Sequence, residues 1–260
     1  MSTTDFLVAA RAVLIGLVAV AVVTAESAAE TFYGVDLEHG DLIFVRGVDD
    51  IVLYEGARAE TSEDLWAEAR SRVLAADRRA AAIESWNYDD FVRHFTEDVT
   101  DPSSVEPMSG SQQVSVGHVA IFAFDESGAP FIFEAAGIAE GVRRLNWHEW
   151  KAKTVGDSEF WITRLIFEED QINSVVEKAL RYDKAPYDIT NRDLADTSSF
   201  YCSKLVWLAV KQATGVAMDG NPNGNRYLWY SPRQLLESDF LFILASSTNE
   251  SFSGFKKKEN

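Results

Sequence analysis

Two apolar, partly β-branched stretches, Val116 to Phe124 and Pro130 to Ala135, flank a short polar break containing Asp125, Glu126, Ser127 and Gly128. Strands of this length around such a turn predict an antiparallel hairpin, which commits the middle of the chain to a sheet. Further strands are expected at Leu42 to Arg46, Ile51 to Tyr54, Phe160 to Leu165 and Phe240 to Ala245. The period changes between them. Leu65, Ala69, Val73, Ala76, Ala80 and Ile83 recur at steps of three and four within Ser62 to Trp86, the mark of an amphipathic helix. Other helices are expected at Glu169 to Tyr182, at Ser199 to Thr214 with Gly215 as its cap, and at Pro232 to Leu236. The stretch from Glu97 to Gln113, with two prolines and many small polar residues, reads as a loop. No repeat or linker divides this series, so a single α+β domain is expected.

Composition narrows the chemistry. Twenty-four basic against 41 acidic residues give a net charge of -17, and a field of that sign repels polyanions, so nucleic acid is not an expected partner. The one basic block, Lys256 to Lys258, reads as a solvated tail. A single cysteine, Cys202, excludes an intrachain disulfide. Four scattered histidines, His39, His94, His118 and His148, lack the pairing with cysteines that a structural zinc site needs, so neither metal nor other cofactor is expected. The motifs G-x-S-x-G, G-x-x-x-x-G-K, G-x-G-x-x-G and H-E-x-x-H are absent, and Gly137 to Gly141 reads as a turn.

Residues 1–25 differ from the rest. Ala12 to Ala25 carries no charge, Arg11 precedes it and small residues stand before Glu26, a pattern expected of a signal peptide or, counted from Phe6, of a membrane anchor, with a buried helix as the third reading. Removing them deletes one acid, Asp5, and one base, Arg11, so the acidity belongs to the remainder. A secreted, periplasmic or outward-facing anchored protein is the expectation.

Cys202 falls near the start of a helix whose Leu205, Val206, Ala209 and Ala213 share one face. Unpaired N–H groups and the helix dipole favour a thiolate there and could hold an oxyanion. A small buried hydrophobe is the competing reading. A nucleophile needs a base: His118 opens one hairpin strand, with His39, His94 and His148 as competitors. Glu134, a carboxylate in an apolar strand, requires a partner; His118 qualifies if the register places both on one face, and Arg143 or Arg144 are alternatives.

The order of several motifs resembles a known family. Gly40-Asp41-Leu42-Ile43-Phe44, Gly117-His118-Val119-Ala120-Ile121, Phe133-Glu134-Ala135, Ala185-Pro186-Tyr187-Asp188, Tyr201-Cys202-Ser203-Lys204-Leu205-Val206 and Ser231-Pro232 succeed one another as in the YiiX/YebB-like permuted papain-fold cysteine hydrolases, which are related to NlpC-type cell-wall peptidases. The resemblance runs from about Gly40 to Leu244 and implies a circularly permuted papain-like α+β domain, its antiparallel sheet packed on the helix that carries the cysteine. The domain is placed at 34–247, with a helical insertion at about 60–95 and a polar tail at 248–260. The resemblance also implies Cys202 as nucleophile, His118 as base, Glu134 as orienter, and the backbone of Cys202 and Ser203 as oxyanion donors. Tyr187, Tyr201 and Lys204 are candidates for the substrate groove.

Two departures bear on specificity: Lys204 stands where the group has an acid, and residues 47–116 form a longer, more helical insertion. The implied activity is hydrolysis of an amide in a cell-wall peptide or similar substrate, through an acyl-enzyme on Cys202. Two other readings remain open. One is a lipid hydrolase or acyltransferase of the lecithin:retinol acyltransferase-like kind, held at a bilayer through residues 6–25; the other is a noncatalytic binding protein on the same fold.

Overall fold

The structure, a computed structural model, describes residues 30–46, 62–76, 78–97, 116–137, 140–155, 158–224, 226 and 229–247. The apolar run at 12–25, the expected strand from Ile51 to Tyr54 and the tail at 248–260 lie outside the described residues. The elements in chain order begin with β1 (Glu30–Phe32), β2 (Val35–Leu37) and β3 (Leu42–Arg46). Next come α1 (Ser62–Ala76), a 3₁₀ stretch (Arg78–Ser85) and α2 (Tyr88–Glu97). The central strands β4 (Val116–Phe124), β5 (Pro130–Gly137) and β6 (Gly141–Asn146) lead into α3 (Trp147–Trp150) and a π turn (Lys151–Val155). The chain continues through β7 (Phe160–Leu165), α4 (Glu169–Leu180), α5 (Cys202–Thr214), α6 (Pro232–Leu236) and β8 (Leu241–Ser246).

Six of the strands form an antiparallel sheet in the order β6-β5-β4-β3-β7-β8, while β1 and β2 pair as a separate hairpin. Side-chain alternation gives the sheet two apolar faces. Leu42, Phe44, Val119, Ile121, Phe131 and Phe133 pack toward the helices, with α5 in the same core. Ile43, Val45, Ala120, Phe122 and Ile132 pack on the other side with Trp147 and Trp150 of α3 and with Phe32 of β1. The fold is thus α+β, as expected. Asp41 secures β3 to β7: its buried carboxylate accepts Arg164 Nε at 2.7 Å, Arg164 Nη2 at 2.9 Å and the backbone N–H of Glu38 at 2.8 Å.

Helix α5 is buried on every side from Cys202 to Val210 rather than along a single face, which is the behaviour of a core helix. It begins three residues later than the sequence pattern suggests. Phe200 bridges Tyr187 in parallel, its N–H donating to Pro186 O at 2.9 Å and its carbonyl accepting from Asp188 N at 3.0 Å. That pairing draws Phe200 and Tyr201 into extended backbone and ties the Pro-Tyr-Asp motif to the helix start. Gly215, at φ 78°, closes the helix as expected.

The insertion departs from the expected single helix over Ser62 to Trp86. The α-helix ends at Ala76 and the chain turns back through the 3₁₀ stretch. Trp66 Nε1 can then donate to Trp86 O at 2.8 Å, and Ala69, Val73 and Ile83 are buried together. Helix α2 lies almost wholly between the helix expected to end at Trp86 and the loop expected from Glu97, within the helical insertion expected at about 60–95. Strand β6 and helix α3 were also not anticipated. Gly141, at φ +62°, allows β6 to approach the segment before Tyr187: an added Cβ would sit 2.5 Å from Ala185 O. Val142 N donates to that same carbonyl at 2.8 Å, and Lys184 N donates to Val142 O at 2.8 Å.

Candidate active site

The turn between β4 and β5 decides whether His118 and Glu134 can meet. Ile121 pairs with Phe133 and Phe122 with Ile132, so the five residues from Asp125 to Ala129 form the loop. Paired residues then have even sums and the two even-numbered side chains fall on one face. His118 Nε2 lies 2.8 Å from Glu134 Oε2. Glu134 pairs directly with Arg143 on its other side and accepts Nε and Nη2 of that arginine on Oε1 at 3.0 and 2.9 Å. Trp150 Nε1 donates to Oε2 at 2.6 Å. Both sequence alternatives for the Glu134 partner therefore hold at once, except that Arg144 instead pairs with Asp125 at 2.7 Å.

A bulge lies beside His118 in β4. Val116 and Val119 are both buried in the core that contains Cys202, although residues three apart on a regular strand point to opposite faces. Val45 pairs with His118 and Arg46 with Val116, which leaves Gly117 as the extra residue. Bulges of this kind re-aim side chains beside functional sites. His118 hydrogen-bonds Glu134 and lies close enough to Cys202 for the thiolate to favour its charged form. With Nε2 committed to the carboxylate, Nδ1 is the ring nitrogen left to serve the thiol.

Burial is the largest influence on His118 and disfavours its charged form. Hydrogen bonds to Cys202 and Glu134, together with their negative charge, outweigh it and raise the imidazole pKa to about 10. Burial also acts on Glu134, pushing its pKa up, but His118, Trp150 and Arg143 together hold it below the usual value. Glu134 is therefore an acceptor, and Nε2 of His118 carries the proton between them.

Cys202 is 3% exposed and occupies the first position of α5. The N-cap residue, Tyr201, provides no side-chain cap, so the first-turn N–H groups face the site without one. The backbone of Tyr230 braces this helix start, accepting Ser203 Oγ at 2.5 Å and donating its N–H to Tyr201 Oη at 3.2 Å. Trp229 in turn donates Nε1 to Ile189 O. Against Trp229 pack Phe91, Trp66 and His94 of the insertion, with ring centroids 5.1, 5.9 and 6.2 Å away. The insertion thus supports the scaffold behind Cys202, and sequence spacing gave no sign of this because the contacts join distant elements.

The three groove candidates are placed differently from one another. Tyr187 is 7% exposed and near enough to Cys202 for thiolate charge to add to burial in raising its pKa well above normal. Tyr201 and Lys204 are 0% exposed and so line no open groove. Tyr201 points toward Tyr230; Lys204 Nζ reaches Asn191 O at 3.4 Å and lies 5.6 Å from the Phe200 ring centroid. Burial lowers the Lys204 pKa to about 8. The other histidines stand elsewhere: His39 Nδ1 accepts Phe124 N at the far end of β4, His94 is in the insertion, and His148 is exposed beside Glu30. Among the described residues, no group of His, Cys, Asp and Glu side chains is arranged to hold a metal ion.

A cysteine at a buried helix start, a histidine from a sheet and a carboxylate behind that histidine define the papain-like class of cysteine hydrolase. The chain belongs to the permuted papain-like amidase family YaeF/YiiX, C92, whose model matches residues 100–233, just over half its length. The protein is accordingly an amidase of the cysteine peptidase class. A crystal structure of the metalloprotein yiiX from Escherichia coli O157:H7 is similar at 15% identity, covering 80% of this chain and 96% of that one with a TM-score of 0.45. The curated proteins compared contain no match.

The geometry predicts a specific titration. In an NMR pH series on the intact protein, His118 should titrate near its raised value of about 10. Glu134→Gln and Cys202→Ala should each lower that midpoint, because each removes a group that favours the imidazolium. An unchanged midpoint in both variants would contradict the proposed coupling.

Proposed function

We propose that the protein is an exported amidase that cleaves a peptide-like amide through an acyl-enzyme on Cys202. The observation that carries this reading is the bond from His118 to Glu134 at 2.8 Å, with Cys202 at the helix start close enough to the imidazole to favour its charged form. Family membership supports amide hydrolysis, and the residues fit its steps. His118 Nδ1 takes the Cys202 proton, and the resulting thiolate attacks the carbonyl carbon. The carbonyl oxygen becomes an oxyanion, held by the N–H groups of Cys202 and Ser203 at the start of α5, where no side chain caps the helix. Collapse of the tetrahedral intermediate breaks the C–N bond as His118 returns the proton to the leaving amine. His118 then deprotonates a water, which attacks the thioester carbonyl and releases a carboxylic acid together with the regenerated thiol. Throughout, Glu134 keeps the imidazole oriented and stabilises its charged form.

The substrate reading is a neutral or cationic peptide amide, because a net charge of -17 disfavours polyanions and the group this chain resembles is related to cell-wall peptidases. The expected result with a panel of peptide amides, acyl-lipid esters and glycerolipids is turnover of the amides. Cys202→Ala should abolish it, and His118→Ala should reduce it by roughly 10²- to 10⁴-fold while far-UV circular dichroism stays unchanged. Turnover confined to acyl lipids would favour the lipid-hydrolase alternative. Full activity in Cys202→Ala would overturn the nucleophile assignment.

Export rests on the uncharged run from Ala12 to Ala25. Fractionation followed by intact-mass measurement should recover either a shortened exported chain or a full-length chain in the membrane. A full-length chain found only in the soluble cytoplasmic fraction would defeat the proposal.

A further inference from the structure

The carboxylate of Glu134 belongs to a residue only 2% exposed, yet it accepts four hydrogen bonds, and His118 makes just one of them. Arg143 occupies Oε1 through two nitrogens at 3.0 and 2.9 Å. Trp150 shares Oε2 with the imidazole, at 2.6 Å against 2.8 Å. The three donor residues come from three elements: β4, β6 and α3. A carboxylate bonded from three directions can neither rotate about its last torsion nor take up a proton without losing at least one of these bonds.

We propose that Trp150 and Arg143 are positioning residues of the amidase: they fix the Glu134 carboxylate with Oε2 against His118 and keep it ionised, so that the imidazole remains aligned and charged beside Cys202. This rests on the reading of Cys202 and His118 as nucleophile and base. The two positioning residues act differently. Arg143 contributes charge, but its side chain is 30% exposed and it also pairs with Glu140 at 3.3 Å, so solvent and a second acid compete for it. Trp150 contributes no charge. It is fully buried against Trp147, with ring centroids 6.0 Å apart, so packing fixes its N–H. An indole N–H donates at every working pH. Trp150 thus maintains one bond to Glu134 under conditions that screen the arginine.

The groups facing Glu134 are His118 from β4, Arg143 from β6 with Glu140 behind it, and Trp150 from α3; Cys202 of α5 and Tyr187 lie beyond the imidazole. Arg143 and Trp150 both favour the carboxylate over the carboxylic acid, and removing either should move Glu134 protonation to higher pH.

The test uses the intact protein with two readouts. One is the carboxyl carbon shift of Glu134 followed by NMR through a pH series; the other is the rate at which iodoacetamide alkylates Cys202, the only cysteine in the chain. Trp150→Phe retains an aromatic ring and removes only the donor. It should raise the Glu134 midpoint by roughly one pH unit, a tenfold change, and the acid-side inflection of alkylation should rise with it. Arg143→Met should produce a larger rise, and Arg143→Lys should restore part of the loss. Loss of packing alone would move neither inflection. If Trp150→Phe folds and both inflections stay at wild-type pH, the role assigned to Trp150 is overturned. If it does not fold, Arg143→Met against Arg143→Lys decides: a shift with partial rescue supports the proposal and no shift overturns it. A wild-type Cys202 that alkylates only as an ordinary thiol, with an inflection near about 8.5, would instead overturn the nucleophile reading. Glu134 could still shift in that case, so the two failures can be told apart.

Discussion

Glu134 carries a negative charge into a sheet whose neighbouring residues are apolar, and the arrangement around it compensates for that desolvation. An unpaired carboxylate at such a position would be driven to its neutral form or would destabilise the strand. Here Arg143 meets it from the adjacent strand, Trp150 from the helix that follows, and His118 from the strand on the other side. These bonds fix the carboxylate, the carboxylate fixes the imidazole, and the imidazole lies against Cys202. The site depends on the strand register because one residue of slip in the β4–β5 hairpin would send His118 and Glu134 to opposite faces.

The nucleophile arrives through a different part of the fold. Helix α5 is a core helix, and its first residue is held by the pairing of Phe200 with the segment Pro186 to Asp188 and by the backbone of Tyr230. Gly141 brings β6 close to Ala185, so the strand that carries Arg143 also anchors the chain leading to Tyr187. The insertion completes this support through Trp66 and Phe91 on Trp229. The acid–base pair is therefore set by sheet register and the cysteine by helix packing, and the two meet where His118 approaches Cys202.

Strand and helix periodicity made much of this legible before any coordinates. The hairpin, the helix behind Cys202 and its glycine cap follow from local pattern, as do the candidates Cys202, His118 and Glu134. The parts that were not legible depend on contacts between distant segments. Whether His118 and Glu134 share a face rests on a loop length that the sequence brackets only loosely. Trp150 lies in a four-residue helix too short to leave a periodic trace. Tyr201 and Lys204 looked like groove residues because they flank Cys202, but successive residues of a helix point in different directions and α5 is enclosed on all sides. The single helix expected for the insertion failed because tertiary contact between Trp66 and Trp86 outweighs the continuing pattern.

The central claim is that the chemistry passes through a covalent bond to Cys202. Its most direct test is mass spectrometry of the enzyme quenched with acid during turnover of an activated acyl amide. An added acyl mass on the peptide containing Cys202, absent in Cys202→Ala, is the result this account predicts. Turnover with no adduct, or with the adduct on another residue, would contradict it.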